Sequence, residues 1–472
     1  MEKKRFYKKL ALFCAFFILT STPLYVHADS VKLLEDPHEA WQARINLIEN
    51  AQKTIDVEYY AIAPDTAGKV FTGLLYEAAN RGVKVHILVG GLTHVNIPDE
   101  AIGTLIEHPN IEIRFYHSMK EWYFPSHWVK TLHDKTLLVD NSYLITGGRN
   151  IADKYFDMTP PEKKQTIDRD ILIVGDENKE NIPLQVKEYF NELWNSKEVE
   201  VTPTELFLTH KCMGTTRFLF ADFFICHYNK WRLNQKIPQK KEDFFTYIEN
   251  YKNKHPEQFN TNYDWIEESK PVFSISFAHD PTDGTKSQYN GTAQALAQEL
   301  RKAKKSILYF TPYIIKTDVY METARIAQAN NVAQTVLTNS PYSGANLFGI
   351  AGTEFYYDDF AQYGLTYWIY QGFHSLHHKT YIIDDHITIS STYNYDPRSA
   401  NLNTEMLFII DDKKLTEEFK EANGVFFNNA LEIDENGHTI PRNGVTKNTL
   451  PFYKRILVAI IKIFMPLIYW II

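Results

Sequence analysis

Two stretches of the chain carry the same imidazole, ammonium and amide side chains at the same intervals. The first is His133-Asp134-Lys135, then Asp140, then Gly147-Gly148-Arg149-Asn150; the second is His377-His378-Lys379, then Asp384, then Ser391-Thr392-Tyr393-Asn394. In each, the Asp follows its His by seven residues and the Asn follows by seventeen. One HxKxxxxD is expected by chance in roughly one chain in ten, a weak signal of the kind short motifs give. Two copies with the same Asn offset are a strong one.

Paired imidazoles, ammonium groups and amides suit a phosphodiester. Lys135 and Lys379 supply positive charge, and Asn150 and Asn394 supply N–H donors, for the non-bridging oxygens where charge collects as phosphorus becomes five-coordinate. A neutral His can attack phosphorus and form a phosphohistidine. The other, protonated, can donate to the leaving alkoxide and later deprotonate the incoming hydroxyl. Histidine suits both tasks because its pKa lies near neutrality. The lysines already form the cationic clamp, so neither a metal nor another cofactor is called for. His127, His374 and His386 have no counterpart in the other copy and read as surface or core residues, and His374–His378 does not read as a metal site.

On a strand, residues i and i+2 share a face, so each His points the same way as its Lys. Asp140-Asn141 and Asp384-Asp385 then signal hairpin turns before Tyr143–Thr146 and Ile387–Ser390. A two-residue turn sets the first copy's pairing at i + j of about 281, bringing His133 opposite Gly148 and Asn150 back beside the His and Lys. Asp140 and Asp384 complete the motif's catalytic set, but their place at the turn favours a structural role. Each ring also needs an acceptor to fix its tautomer. Glu405 is the choice in the second half, and Asp170, in Asp168-Arg169-Asp170, is the choice in the first.

The elements that hold these residues alternate between helix and strand. Trp41–Ala51 has helical spacing, Thr54–Tyr60 reads as a strand, Val70–Arg81 as a helix and Val83–Val89 as a strand. Ala295–Ala303, Ser306–Phe310, Val319–Asn330 and Val332–Leu337 repeat that order. The pattern is α/β, a sheet covered by helices, present twice. The expected organisation is a signal peptide over 1–28, a first half over 29–200, a linker with a helical insertion over 201–270, a second half over 271–430 and a tail over 431–472.

The ends of the chain point to a membrane. A basic start and an apolar run from Leu10 to Leu19 precede Val26 and Ala28, which read as a cleavage pair. The whole chain of 472 residues has a net charge of −8; loss of residues 1–28 removes five basic residues and one acid and leaves −12. That balance argues against nucleic acid as a partner. From Lys447 to Ile472 there are four cations and no acid. Ile456 to Ile472 suits a helix lying in the bilayer interface; a helix docked on the protein's own core and a short tail anchor are the alternatives. Cys212 and Cys226 fit either a disulfide or two separate thiols.

The twin motif resembles the phospholipase D superfamily. Asp56-Val57-Glu58-Tyr59-Tyr60, His108-Pro109-Asn110-Ile111-Glu112, Gly147–Asp153 with Tyr155-Phe156, and Asp396-Pro397-Arg398-Ser399 through Leu402–Met406 are similar to bacterial cardiolipin synthases, especially the exported C type. Ser391-Thr392, where that family usually has Gly-Ser, and the 201–270 insertion are departures. The resemblance implies two duplicated phospholipase D-like α-β-α sandwich halves related by a pseudo-twofold axis, with the active site at their interface. It implies a metal-independent phosphatidyltransferase joining two phospholipids, such as phosphatidylglycerol with phosphatidylglycerol or phosphatidylethanolamine, with His133 as nucleophile and His377 as acid/base. The expected location is the outer face of the cytoplasmic membrane or the periplasm. Competing readings are a secreted phospholipase D, a nuclease of the same fold, and an inactive lipid-binding module.

Overall fold

The structure, a computed structural model, describes residues 29–90, 105–117, 129–175, 180–201, 242–259, 263–434 and 437–472. The expected signal over 1–28, His127 and the Cys212–Cys226 pair lie outside the described residues.

Two sheets form the frame. In chain order the first-half strands are β1 (Ser30–Leu34), β2 (Thr54–Tyr59), β3 (Lys84–Gly90), β4 (Ile111–Tyr116), β5 (Lys135–Val139), β6 (Tyr143–Gly147), β7 (Thr166–Ile167), β8 (Asp170–Val174) and β9 (Val199–Val201). Then follow β10 (Lys270–Pro271), β11 (Ser274–His279), β12 (Ser306–Phe310), β13 (Ala333–Asn339), β14 (Leu365–Tyr370), β15 (Ser375–Leu376), β16 (Thr380–Ile383), β17 (Ile387–Ser391), β18 (Met406–Asp411) and β19 (Ala430–Glu432). The first sheet runs β10-β1-β8-β6-β5-β2-β3-β4-β9 and the second β11-β18-β17-β16-β12-β13-β14-β19. Apart from β10 the orders superimpose strand for strand, with the parallel pairs β2–β3–β4 matched by β12–β13–β14. The fold is a duplicated α/β architecture.

Helices cover the sheets where the apolar spacing places them. Pro37–Asn50 and Thr66–Asn80 pack on the first sheet, each capped by an Asp side chain, Asp36 or Asp65, that accepts backbone N–H groups. Gly291–Arg301 and Asp318–Ala329 take the same places on the second. Part of the inserted region is described as a helix over 242–254, and it buries Phe244 and Ile248 in the first half's core. One cluster joins the halves: Leu138, Ile171 and Tyr189 from the first pack with Ile382, Met406, Phe408 and Phe419 from the second. Burial of shared apolar surface makes separation of the halves costly.

The hairpin register differs from the two-residue expectation by one. Val139 pairs with Tyr143 and Ile383 with Ile387, so each turn has three residues. The reason lies at Asp140-Asn141 and Asp384-Asp385, all four left-handed with φ between 52° and 66°. Asp and Asn tolerate that region better than most residues, and two such residues in succession reverse the chain.

Candidate active site

A two-stranded parallel sheet between the halves positions the histidines. β7 pairs with β15, Thr166 with Ser375 and Ile167 with Leu376. The next residues, Asp168 and His377, are thereby level, and Asp168 Oδ2 lies 2.6 Å from His377 Nδ1. The symmetry-related crossing is the bridge between Leu132 and Thr404. It sets Glu405 beside His133, with Oε1 2.8 Å from Nδ1. Each half therefore orients the other half's imidazole, and neither half-site is complete alone.

The expected partner Asp170 touches neither ring. It opens β8, opposite Gly147 and Leu34, and its Oδ2 accepts from Arg44 at 2.8 Å and Arg149 at 3.4 Å. Strand pairing decides the difference: the acceptor must be the residue immediately after β7, and that is Asp168. Gly148 makes room for it, since a Cβ there would stand 1.9 Å from Asp168 Oδ1. In the second half Thr392 occupies the matching place, and its hydroxyl donates to Glu405 Oε2 at 2.6 Å. Ser399 donates to Oε1 at 2.7 Å. The absence of the second glycine is thus matched by a hydroxyl on the carboxylate.

The lysines lie on the same strand starts. Lys135 Nζ donates to the His133 carbonyl at 2.5 Å, and Lys379 Nζ donates to the His377 carbonyl. Lys379 also stands 2.8 Å from His377 Nδ1 and 3.6 Å from Asp168. The carboxylate takes the ring proton, because an ammonium has only protons to offer. Asn150 Nδ2 donates to the Tyr155 hydroxyl at 3.2 Å, and Asn394 Nδ2 to Tyr313 at 3.1 Å. Tyr60 and Tyr155 stand edge-on to His133 and His377 at 5.5 Å and 6.2 Å. These tyrosines, like Asp168, were not singled out from sequence; Tyr60 and Tyr155 do fall within the stretches that carry the family resemblance.

Asp140 and Asp384 stand apart from this cluster. Seven residues of extended chain separate each from its His, about 23 Å. Asp140 accepts from the backbone N–H groups of Gln52, Lys53 and Thr54 at 2.7–2.9 Å, and Asp384 from those of Lys304, Lys305 and Ser306 at 2.6–2.9 Å. Their place in the catalytic set is corrected to that of strand anchors. His374 accepts from Gln165 N at 3.1 Å, and His378 is buried against Phe310 and Phe426.

The family model described as cardiolipin synthase, PLD-like domain, matches residues 45–200 and 296–423. The chain belongs to this family. A protein of Helicobacter pylori (strain ATCC 700392 / 26695), itself described as uncharacterized, is 28% identical over 410 residues, 80% of this chain and 76% of its own. Cardiolipin synthase C of Escherichia coli (strain K12) is 24% identical over 416 residues, 81% of this chain and 82% of its own. The crystal structure of phosphatidylserine synthase from Haemophilus influenzae Rd KW20 superimposes with a TM-score of 0.61 at 14% identity, covering 94% of this chain and 95% of that one. That likeness is one of fold. The chain is an enzyme of the phospholipase D superfamily.

The paired site is largely buried. His133 is 8% exposed and the His377 side chain 22%. Burial, then the Lys135 and Lys379 ammonium groups, holds His133 well below the usual histidine range. Burial and Lys379 outweigh Asp168 and bring His377 to about 4. Lys135 is brought down to about 7 by burial and by Lys379. The two carboxylates diverge: burial opposes the Asp168 anion, yet Lys379 and His377 hold it well below the usual range, whereas burial raises Glu405.

Proposed function

We propose that the protein is a phosphatidyltransferase that joins two phospholipids by way of a phosphohistidine, and that it works at the outer face of a bacterial membrane. The observation that carries this reading is the reciprocal pairing, His133 with Glu405 and His377 with Asp168, which directs both Nδ1 protons to carboxylates and leaves both Nε2 atoms for one phosphorus.

His133 is the nucleophile in this proposal. It is the more buried ring, and burial with the neighbouring Lys135 and Lys379 holds it well below the usual histidine range, so its neutral form is favoured. His377 is the acid/base, because the firmly ionised Asp168 beside it stabilises an imidazolium once an anionic substrate has offset the lysines. His133 Nε2 forms the N–P bond as the P–O bond to the donor's headgroup alcohol breaks, and that alkoxide takes the proton of His377. His377 then removes the proton from a hydroxyl of the second lipid, whose oxygen displaces His133. Lys135, Lys379, Asn150 and Asn394 hold the non-bridging oxygens throughout.

Phosphatidylglycerol is the proposed acceptor, because its headgroup carries free hydroxyls, and phosphatidylglycerol or phosphatidylethanolamine is the proposed donor, losing glycerol or ethanolamine, following the relatives named for cardiolipin synthesis. Among the described residues no helix is long and apolar enough to cross a membrane. The C-terminal helix Phe452–Ile468 packs one face, Val458, Ile461 and Met465, on the helix Leu347–Phe355, and exposes Ile463 and Leu467 at 73% and 71%. It is proposed to rest in the bilayer interface. Purified protein supplied with labelled phosphatidylglycerol is expected to yield cardiolipin and free glycerol, and His133→Ala or His377→Ala to lower the rate at least 10³-fold with the fold retained. Phosphatidic acid as sole product would reject transfer, and near-normal turnover in either variant would reject the mechanism.

A further inference from the structure

A cleft of about 550 Å³ lies between the C-terminal helix and the outer strands of the second sheet, apart from the paired histidines. That volume is within the range of roughly 300–1,000 Å³ typical of small-molecule sites. Its floor is apolar, built from Ile350, Tyr367, Ile369, Leu450 and Val458, all buried. Its rim carries Lys447, Arg455 and Lys462, together with Glu354 and Asp358. Lys462 is paired with Glu354 at 3.3 Å, whereas Lys447 and Arg455 have no carboxylate partner among the described residues. The Tyr367 hydroxyl, in the floor and 1% exposed by residue, has no hydrogen-bond partner there either. An apolar floor, a lone hydroxyl and two cations without a carboxylate partner at the rim together match a chain with an anionic head.

The cleft adjoins the catalytic centre. Asn339, in its wall, donates from Nδ2 to the carbonyl of Leu376 at 2.7 Å, one residue before His377. The same nitrogen donates to the carbonyl of Pro312 at 3.0 Å, one residue before Tyr313, which receives Asn394. On the other side the cleft is closed by the C-terminal helix, whose outer face exposes Ile456, Ile460, Ile463, Phe464 and Leu467. A bilayer surface fits that apolar face and the four cations, without an acid, over 447–472.

We infer that this cleft is a binding site for an anionic phospholipid, with an acyl chain on the apolar floor and the phosphate at Lys447 and Arg455, entered from a bilayer on which the C-terminal helix rests. It rests on the proposed lipid reading of the chain and adds where a lipid is held beside the reaction. The test uses the full chain carrying His133→Ala, so that its outcome does not depend on turnover. The protein is mixed with vesicles containing phosphatidylglycerol that bears a photoactivatable diazirine at the end of one acyl chain. After irradiation the labelled peptides are mapped. The expected adducts include floor residues of 350 and 367–369, which a bilayer on the outer helix face cannot reach. The pair Lys447→Glu with Arg455→Glu, and separately the exposed-rim Ala459→Trp, should each lower floor labelling at least fivefold. A phosphatidylcholine probe should label the floor several-fold less. Labelling confined to the outer helix face, or floor labelling unchanged in both variants and equal for the two lipids, would overturn the inference while leaving the transferase reading to its own assay.

Discussion

At Asp168 one carboxylate oxygen lies 2.6 Å from the ring nitrogen of His377, so an amide there presents N–H to N–H or inverts the tautomer. Asp168→Asn is expected to lower kcat by about 10²–10⁴ with little change in KM or melting temperature. Asp170→Asn should do the reverse. Arg44 and Arg149 would be left buried without their anion, costing about 3–5 kcal/mol of stability. Calorimetry alongside kinetics separates the two. Lys135, brought down to about 7 by burial and Lys379, must be charged to hold a phosphate, so binding takes up a proton once the pH exceeds that value. Affinity for a phosphodiester is expected to fall as pH rises from about 7 to 9 and to stay level below 7; Lys135→Arg, always charged, should flatten the slope. The need for an acceptor on each ring is legible in the sequence, and so is Glu405, though as the carboxylate of its own half rather than of His133 in the other. Asp168 was missed in favour of Asp170, because the choice rests on a strand pairing across 209 residues that no local pattern reveals.

The hairpins carry the motif's aspartates as anchors of a neighbouring strand. Each carboxylate accepts three successive backbone N–H groups that lead into β2 or β12, the last from the strand's first residue. Asp140→Ala or Asp384→Ala would leave those donors to water and loosen the strand that lies beside the His–Lys segment. The expected loss is about 1–3 kcal/mol by denaturant titration, with activity per folded molecule within a few-fold of the parent. A loss above 10²-fold without destabilisation would return these residues to the chemistry. The strands and covering helices could be read from periodicity to within a few residues, because their apolar faces are clean. The turn length could not, since Asp-Asn fits a two-residue turn equally well, and only the ladder shows Ser142 and His386 as third turn residues.

Across the whole molecule, duplication was visible in the motif spacing, and so was the meeting of two half-sites. The sequence does not display that each half lends its carboxylate to the other, nor that Met406 and Phe408 share a core with Leu138 and Tyr189. Those contacts bind the halves into one unit, and in the proposed mechanism the two imidazoles act on one phosphorus. A phosphatidyl ester of p-nitrophenol bypasses the acid step, because its leaving group needs no proton. With His377→Ala the phosphatidyl group should transfer and then stall for want of a base. Intact-mass and peptide analysis is expected to show close to one phosphatidyl group per chain, on His133, with one equivalent of nitrophenol released. An adduct on another residue, or continued turnover with none, would contradict the paired-histidine account.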